Sequence, residues 1–548
     1  MARPVAAPIL KTIPLDHLQP GVSRAELPLT DGEVIESVDM TAGMIQDVPR
    51  SVVPLGSGRV IENGRVRDDW VGIREGTGEI GTKPDSNRVI KVFSFVGEDL
   101  VRRVCRVTQS TFHVWDGSTW TAFTVTGGFK GTAKRVTVSQ LFGKVYLAFG
   151  ISDGLWEVDF DLSTVTRVAQ APGGKFTITF AERVWVANLN KTIGGIFPST
   201  IAGSANSDPQ DWTGESAVEE NLIADSLGNE ITGFAALESH AVIVRRTSIH
   251  LMSRQPFALA PVRIDRVVNG IGSDLPYTTV VVPGGIIFAD SRTQDVYFWR
   301  PGTLPESLAH RDDSHIHHLL YEDLAAATFA EATYDPSEGE YHLGLTWETD
   351  DDLITRRWIC NVHRGKPAWS YDDSPALTTL GVVLPPAVTT TIDDLSGTIN
   401  ALSGSIDSLS SRSVPSPALY AGVATGEVIE FSYSHPLDWD STEFEFTFQS
   451  PNLGSPSRRR TMKDLEVTCS IPVTGDVTIE QSKDESTWSN SKTASRTGAS
   501  TRQKVRLPKT QITGDDLYWR IKANASGFKI RSWWARMMEK GLQAGGQQ

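Results

Sequence analysis

The chain has 548 residues, 39% of them hydrophobic, with 47 glycines, 29 prolines and a mean hydropathy of -0.19. That supplies ample core and excludes a protein of long helices, which would not tolerate so many turn residues. The net charge of -14, from 52 basic and 66 acidic residues, excludes an overall grip on nucleic acid, which needs a basic footprint, although an acidic wall can guide DNA without holding it.

No apolar stretch reaches the roughly 18 residues of a membrane span. The N-terminal run is broken by Pro4, Pro8 and Pro14, so no signal-peptide core is expected. Cys105, Cys360 and Cys469 are sparse and odd in number. They predict neither a disulfide framework nor a metal knuckle, and point to folding in a reducing cytoplasm.

Residues 1–54 read as an extended arm, able to add a strand to a later sheet or to reach a neighbouring subunit. From 55 to 439, seven short alternating runs turn and return as hairpins. They lie at Arg103–Phe123, Phe142–Phe160, Lys175–Asn188, His240–Met252 and Gly284–Trp299, then at Glu338–Trp347 with Arg356–Val362, and at Ala418–Tyr433. In the second, Val145, Leu147 and Phe149 share a face, Ser152-Asp153-Gly154 turns, and Trp156, Val158 and Phe160 share a face on return. Alternation broken by Asp-Gly is a strong hairpin signal. One hairpin cannot bury its own face, so the series must stack. The spacing predicts an all-β fold: a β-propeller of about six blades, each a sheet of about four strands.

An insertion at 391–411 carries Ile392, Leu395, Ile399, Leu402, Ile406 and Leu409 at 3–4 spacing, a heptad seam if helical. Gly397, Gly404 and the many serines disfavour a helix, so an extended or irregular strip that contacts a sheet or a neighbouring subunit is expected. Residues 440–538 offer six strand candidates, at Glu443–Ser450, Asp464–Val473, Asp476–Ser482, Gln503–Pro508, Leu517–Ala523 and Phe528–Met538. They predict a C-terminal β-sandwich-like domain. Residues 539–548 read as a disordered tail.

Four local groups carry candidate chemistry. SANSDPQDWTG, Ser204 to Gly214, is the most specific: Ser204, Ala205, Asp208, Pro209, Asp211 and Trp212 read as a rigid loop, with Asp211 bonding backbone amides and Trp212 anchoring the loop on the core. His310, His315, His317 and His318 with Asp312 and Asp313 form the best metal-ligand cluster, but a polar connector explains them as well, and neither metal nor cofactor is assigned. Arg458, Arg459 and Arg460, beside Lys463, are the concentrated basic run and fit a subunit contact. QSKDESTWSN, Gln481 to Asn490, resembles the Asp-box turn of sialidase propellers, one residue short and without its glycine; the Asp-box is a folding turn. No spacing identifies the paired carboxylates of a glycosidase, Asp350 to Asp352 read as a solvated turn, and no P-loop, Rossmann fingerprint or nucleophile elbow occurs. The chain therefore reads as a non-enzyme.

Ser204–Gly214 is followed by ITGFAALESHAVIVRRTSIHLM, then by NGIGSDLPYTTVVVPGGIIFADSRTQDVYFW and SLAHRDDSHI. This succession resembles the tail nozzle proteins of short-tailed bacteriophages, also called packaged-DNA stabilisation or tail tubular B-type proteins. Arg292-Thr293-Gln294-Asp295 departs from their shorter Asp-Gly turn. The resemblance implies a virion tail protein assembled in the host bacterial cytoplasm. It implies a homo-hexameric ring that meets an adaptor ring or portal-proximal proteins and a tail fibre or spike, passes double-stranded DNA, and retains the genome until ejection. The alternative is a carbohydrate-binding or carbohydrate-cleaving propeller that recognises a receptor; a third class, a cytoplasmic scaffold, predicts a monomer.

Overall fold

The computed structural model describes most of residues 33–539; the segments 1–32, 387–415, 455–459 and 540–548, with a number of shorter stretches, lie outside the description. Six small sheets stand in a ring, and the fold is an all-β propeller. The first sheet comprises Val89–Val96, Arg102–Thr108, Phe112–Trp115 and Trp120–Ala122, and the second Thr137–Leu141, Lys144–Ala148, Leu155–Asp159 and Thr164–Arg167 with Thr124–Val125 added in parallel. The third comprises Gly173–Phe180, Arg183–Lys191, Gly195–Gly203 and Val218–Asn221, and the fourth Ile231–Ala236, His240–Arg245, Ser248–Phe257 and Ala260–Asn269. The fifth comprises Val280–Val282, Gly285–Asp290, Asp295–Trp299 and Glu306–Ser307, and the sixth Leu377–Val383, Ala418–Val423, Val428–Ser432 and Gly76–Glu79. The arc between the fifth and the sixth is filled by Phe329–Asp335, Glu340–Thr346, Arg356–Asn361 and Ala368–Asp372, the first four strands of a nine-stranded sheet. Each of the seven sequence hairpins thus lies in its own sector of the ring.

The second hairpin shows how sequence becomes sheet. Leu147 pairs with Trp156 and Val145 with Val158, so their side chains fall on one face. That face packs with Phe149 against Phe93, Phe95, Cys105, Phe112 and Val114 of the first sheet. Tyr146 and Ala148 alternate to the other face and join Val184, Val186 and Leu189 of the third. Every sheet is apolar on both faces because every sheet is covered on both sides. The sixth and first sheets meet through Val89, Val92, Val104, Val383, Tyr420 and Val428, which completes the circle.

Residues 55–79, expected to open the propeller body, serve both bodies. Gly76–Glu79 is the outer strand of the sixth sheet, and Val60–Glu62 lies between Ala368–Asp372 and Phe446–Gln449 in the nine-stranded sheet. Beyond that point the sheet runs through Tyr518–Ala523, Asp476–Ser482 and Trp488–Ser495. A seven-stranded sheet faces this half, with Arg460–Ser470 and Lys529–Glu539 paired at its centre; the arm's Glu33–Ser37 joins it, as do Gly64–Val66 and Val71–Ile73 from the segment after the arm. The sandwich core holds Trp519 against Trp533, ring centroids 5.4 Å apart, with Phe446, Phe448, Met462, Leu465 and Ile530. The same continuous core includes Ile287 and Val296 of the fifth sheet and Leu343 and Trp358 of the ring, so propeller and sandwich share apolar interior.

At the axis, successive innermost strands are neighbours around the circle and their polar groups converge on Glu331. Its carboxylate receives Lys91 of the first sheet at 2.9 Å, Arg135 from the approach to the second at 2.8 Å, and Thr379 Oγ1 of the sixth at 2.8 Å. Arg135 also lies 4.3 Å over the Phe329 ring, which neighbours Tyr277, which in turn neighbours Phe176 of the third sheet. The two buried members, Glu331 (3% exposed) and Arg135 (1%), would each be costly without the other. Glu331→Ala is expected to cost about 3–5 kcal/mol, the range for stranding a buried charge, and Glu331→Gln less, because the amide still accepts from Thr379. Urea unfolding checks this; an unchanged midpoint in Glu331→Ala would show that the hub does not hold the ring.

Candidate functional site

The Ser204–Gly214 loop bridges the seam between the second and third sheets. Arg183, buried on the third sheet, donates to the carbonyls of Ser204 and Ser216, both at 2.5 Å, and the Ser204 hydroxyl accepts from the Val184 amide at 3.2 Å. Gln210 reaches back to Glu157 of the second sheet, a carboxylate already bonded by Tyr146 and Lys144. Inside the loop Ala205 N donates to Asp211 O at 2.7 Å, Asp208 accepts from Gln210 N, and Trp212 Nε1 donates to Pro209 O at 2.8 Å. Asp211 accepts from the amides of Thr213 and Gly214 at 3.0 and 2.8 Å; these bonds hold its carboxyl below the usual range. The loop is thus closed by its own hydrogen bonds.

Below it opens a cleft of about 590 Å³, lined by Arg167, Gln170, Trp212, Thr213 and Glu219 among smaller residues. Gln170 Oε1 accepts from the Trp212 amide and from Thr213 Oγ1, both at 3.4 Å. Trp212 is half-buried against the core between the two sheets.

A larger cleft, about 720 Å³, opens at the junction of propeller and sandwich. Its walls carry Glu62, Asp373, Asp438, Asp440, Glu443 and Glu445 against Arg74, Arg520 and Lys522. Glu62 stands opposite Tyr371 on one side and Thr447 on the other, which places it beside Asp373. Burial, then the charge and hydrogen bond of Asp373, push Glu62 up to about 6. Asp438 takes a bidentate pair from Arg74 at 2.8 and 2.6 Å, and Lys522 pairs with Glu445 at 2.5 Å. A carboxyl that exchanges its proton near neutrality beside a second carboxylate is equipped for general acid–base work on a polar substrate.

Of the residues singled out in the sequence, the 204–212 group is brought together, as above. Ile392, Leu395, Ile399, Leu402, Ile406 and Leu409, and likewise Arg458 and Arg459, lie outside the described residues. Arg460 begins a central strand of the seven-stranded sheet and stands opposite Gly514 and Glu539. The backbone of His310 pairs with that of His315; the side chains of His310, His315, His317 and His318, with Asp312 and Asp313, lie outside the described residues. All three cysteines are buried and free, and burial pushes the Cys469 thiol up to about 12. In the Asp-box-like turn, Asp484 accepts from the amides of Ser486 and Thr487 at 3.0 and 2.7 Å, so the segment is a hairpin turn between two sandwich strands. Among the described residues no helix is long and apolar enough to cross a membrane. Glu62 and Asp373 drew no attention in the sequence, because only a parallel pairing across some three hundred residues makes them neighbours.

No family model matches the chain, and no curated protein matches it. Among solved structures it is similar to an exo-β-1,3-galactanase from Phanerochaete chrysosporium, at 11% identity and TM-score 0.27, over 76% of this chain and 98% of that one. It is similar to PorZ, a surface component of the type-IX secretion system of Porphyromonas gingivalis, at 10% identity and TM-score 0.32, over 70% of this chain and 44% of that one. It is also similar to the N-terminal domain of Nup159, at 9% identity and TM-score 0.35, over 67% of this chain and 97% of that one. At these values no residue's role and no substrate passes to this chain. The expectation of a non-enzyme is corrected only in that an enzyme is among these structures, which gives this chain no activity of its own.

The raised Glu62 has a sign that can be checked. A carboxyl whose folded value, about 6, exceeds its ordinary 4.5 binds more protons in the folded chain, so its contribution to stability is full below pH 4.5 and is lost as pH rises to 6. Glu62→Gln is expected to melt higher than the parent above pH 6, with the gap closing toward pH 4.5. Thermal melts across pH 4–8 test this, and a gap independent of pH contradicts it.

Proposed function

We propose that the chain is a structural protein of the virion tail of a short-tailed bacteriophage, the homo-hexameric nozzle that forms the distal DNA conduit and retains the packaged genome until ejection. The observation that supports this reading is the placement of the nozzle-like succession. The 204–214 loop, the 240–252 strand pair and the 284–299 pair follow one another around a single arc, from the seam of the second and third sheets to the fifth. With side chains tied across the propeller axis at Glu331, the conduit in this reading is the lumen enclosed by the ring of subunits. The charge of -14 suits walls that let DNA pass without adhesion. Partners would be an adaptor ring or portal-proximal tail proteins at one end and a tail fibre or spike at the other.

Electron microscopy of the purified full chain is expected to show six-fold rings with an open lumen, and gel-shift assays to show poor binding of double-stranded DNA even at low salt. A monomer throughout, or tight DNA binding that weakens steeply with salt, overturns the reading.

The junction cleft favours a second reading, a carbohydrate-cleaving or carbohydrate-binding propeller that recognises a receptor, because Glu62 and Asp373 are a carboxyl pair with one member proton-bearing near pH 6. Glycoside hydrolysis employs two carboxyls about 5 Å or more apart, wider than a pair joined by a hydrogen bond, so the cleaving form requires the two to part around the substrate. Release of reducing sugar from host surface polysaccharide by the parent, lost in Glu62→Gln, is the outcome expected of it; no release by the parent sinks the cleaving form.

A further inference from the structure

We propose that the seam cleft beneath the Ser204–Gly214 loop is a binding site for a neutral saccharide, with Trp212 as its platform. The indole is fixed before any ligand arrives. Its only donor is spent on Pro209 O at 2.8 Å and its own amide is held by Gln170, so the ring offers a flat apolar face. The loop that carries it is anchored to both sheets, through Arg183 on one side and Gln210 on the other. That anchoring removes most of the ordering cost a mobile loop would add to binding. A face of this kind suits the ligand class that is apolar on its ring C–H surface and polar at its rim.

The polar groups match the rim. Gln170 uses its carbonyl oxygen on Trp212 N and Thr213 Oγ1, an orientation that leaves the amide NH2 as a donor for a hydroxyl. Arg167 and Glu219 line the same cavity, one cation and one anion, so neither sign of charge dominates the rim. An anionic ligand would meet Glu219, and a cationic one Arg167. The volume, about 590 Å³, lies within the span of small-molecule sites. This site is separate from the junction cleft and requires no catalysis there; it rests on the carbohydrate-binding form of the second reading, and its failure leaves the nozzle reading and the cleaving form as they stand.

The test is a glycan array of neutral and acidic oligosaccharides probed with the full chain, followed by calorimetry with the best neutral ligand. The parent is expected to retain neutral glycans. Trp212→Ala is expected to lose affinity about tenfold or more, near 1.4 kcal/mol, with Trp212→Tyr recovering part of it. Gln170→Ala, which keeps the indole and its bond to Pro209 O, should lose less. Where Trp212→Ala melts far below the parent, Gln170→Ala decides alone. No neutral glycan retained by the parent, retention of acidic glycans only, or unchanged affinity in Gln170→Ala overturns the site.

Discussion

The structure depends on one closure that is not covalent: the early strand Gly76–Glu79 completes the sixth sheet, and the residues just before it are bound into the sandwich. The closure is pinned by charge in a nearly dry place. Asp372 is fully buried and faces Arg357 at 2.5 Å, Arg65 at 3.5 Å and Arg74 at 3.6 Å. Burial alone would raise this carboxyl; the three guanidiniums outweigh it and hold it below the usual range. Arg65 and Arg67 share Glu75 at 2.9 and 3.0 Å, and Arg74 holds Asp438. Such a cluster is costly unless every member is paired. Its members come from residues 65–75, from the ring and from the chain leading into the sandwich, so loosening one body strands charges in the others.

What was legible in the sequence was what is local. Val145–Phe160 declares its hairpin because alternation, an Asp-Gly turn and alternation fall within one short window, and all seven such windows became ring sectors. The six sandwich strands were legible for the same reason, with boundaries within a few residues. Two more sandwich strands were not. Trp488–Ser495 reads WSNSKTAS and Ile512–Gly514 is only three residues long, so neither presents an apolar period; neighbouring strands on which they pair recruit them. The closure was illegible because its partners are remote in sequence, as in Ile429 with Glu79 and Glu62 with Tyr371. The arm's capacity to add a strand was readable, but not where it adds one.

The sites divide along the same line. The 204–214 loop is a consecutive motif whose turn residues bond one another, so its rigidity could be read directly. The cleft beneath it also needs Gln170 from the connection between the second and third sheets, and the junction cleft needs four distant segments. Both clefts lie at boundaries, one between two sheets and one between propeller and sandwich, where covered faces end and polar side chains turn outward. The apolar faces themselves are spent on holding neighbours together.

The central claim is that propeller and sandwich form one mechanical unit, locked by the arm and by a shared core. Differential scanning calorimetry of the full chain tests it most directly. The account predicts a single cooperative heat-absorption peak, because the charge cluster and the continuous core leave neither body able to melt alone. Two separated peaks, one for a ring that survives the loss of the sandwich, would contradict it.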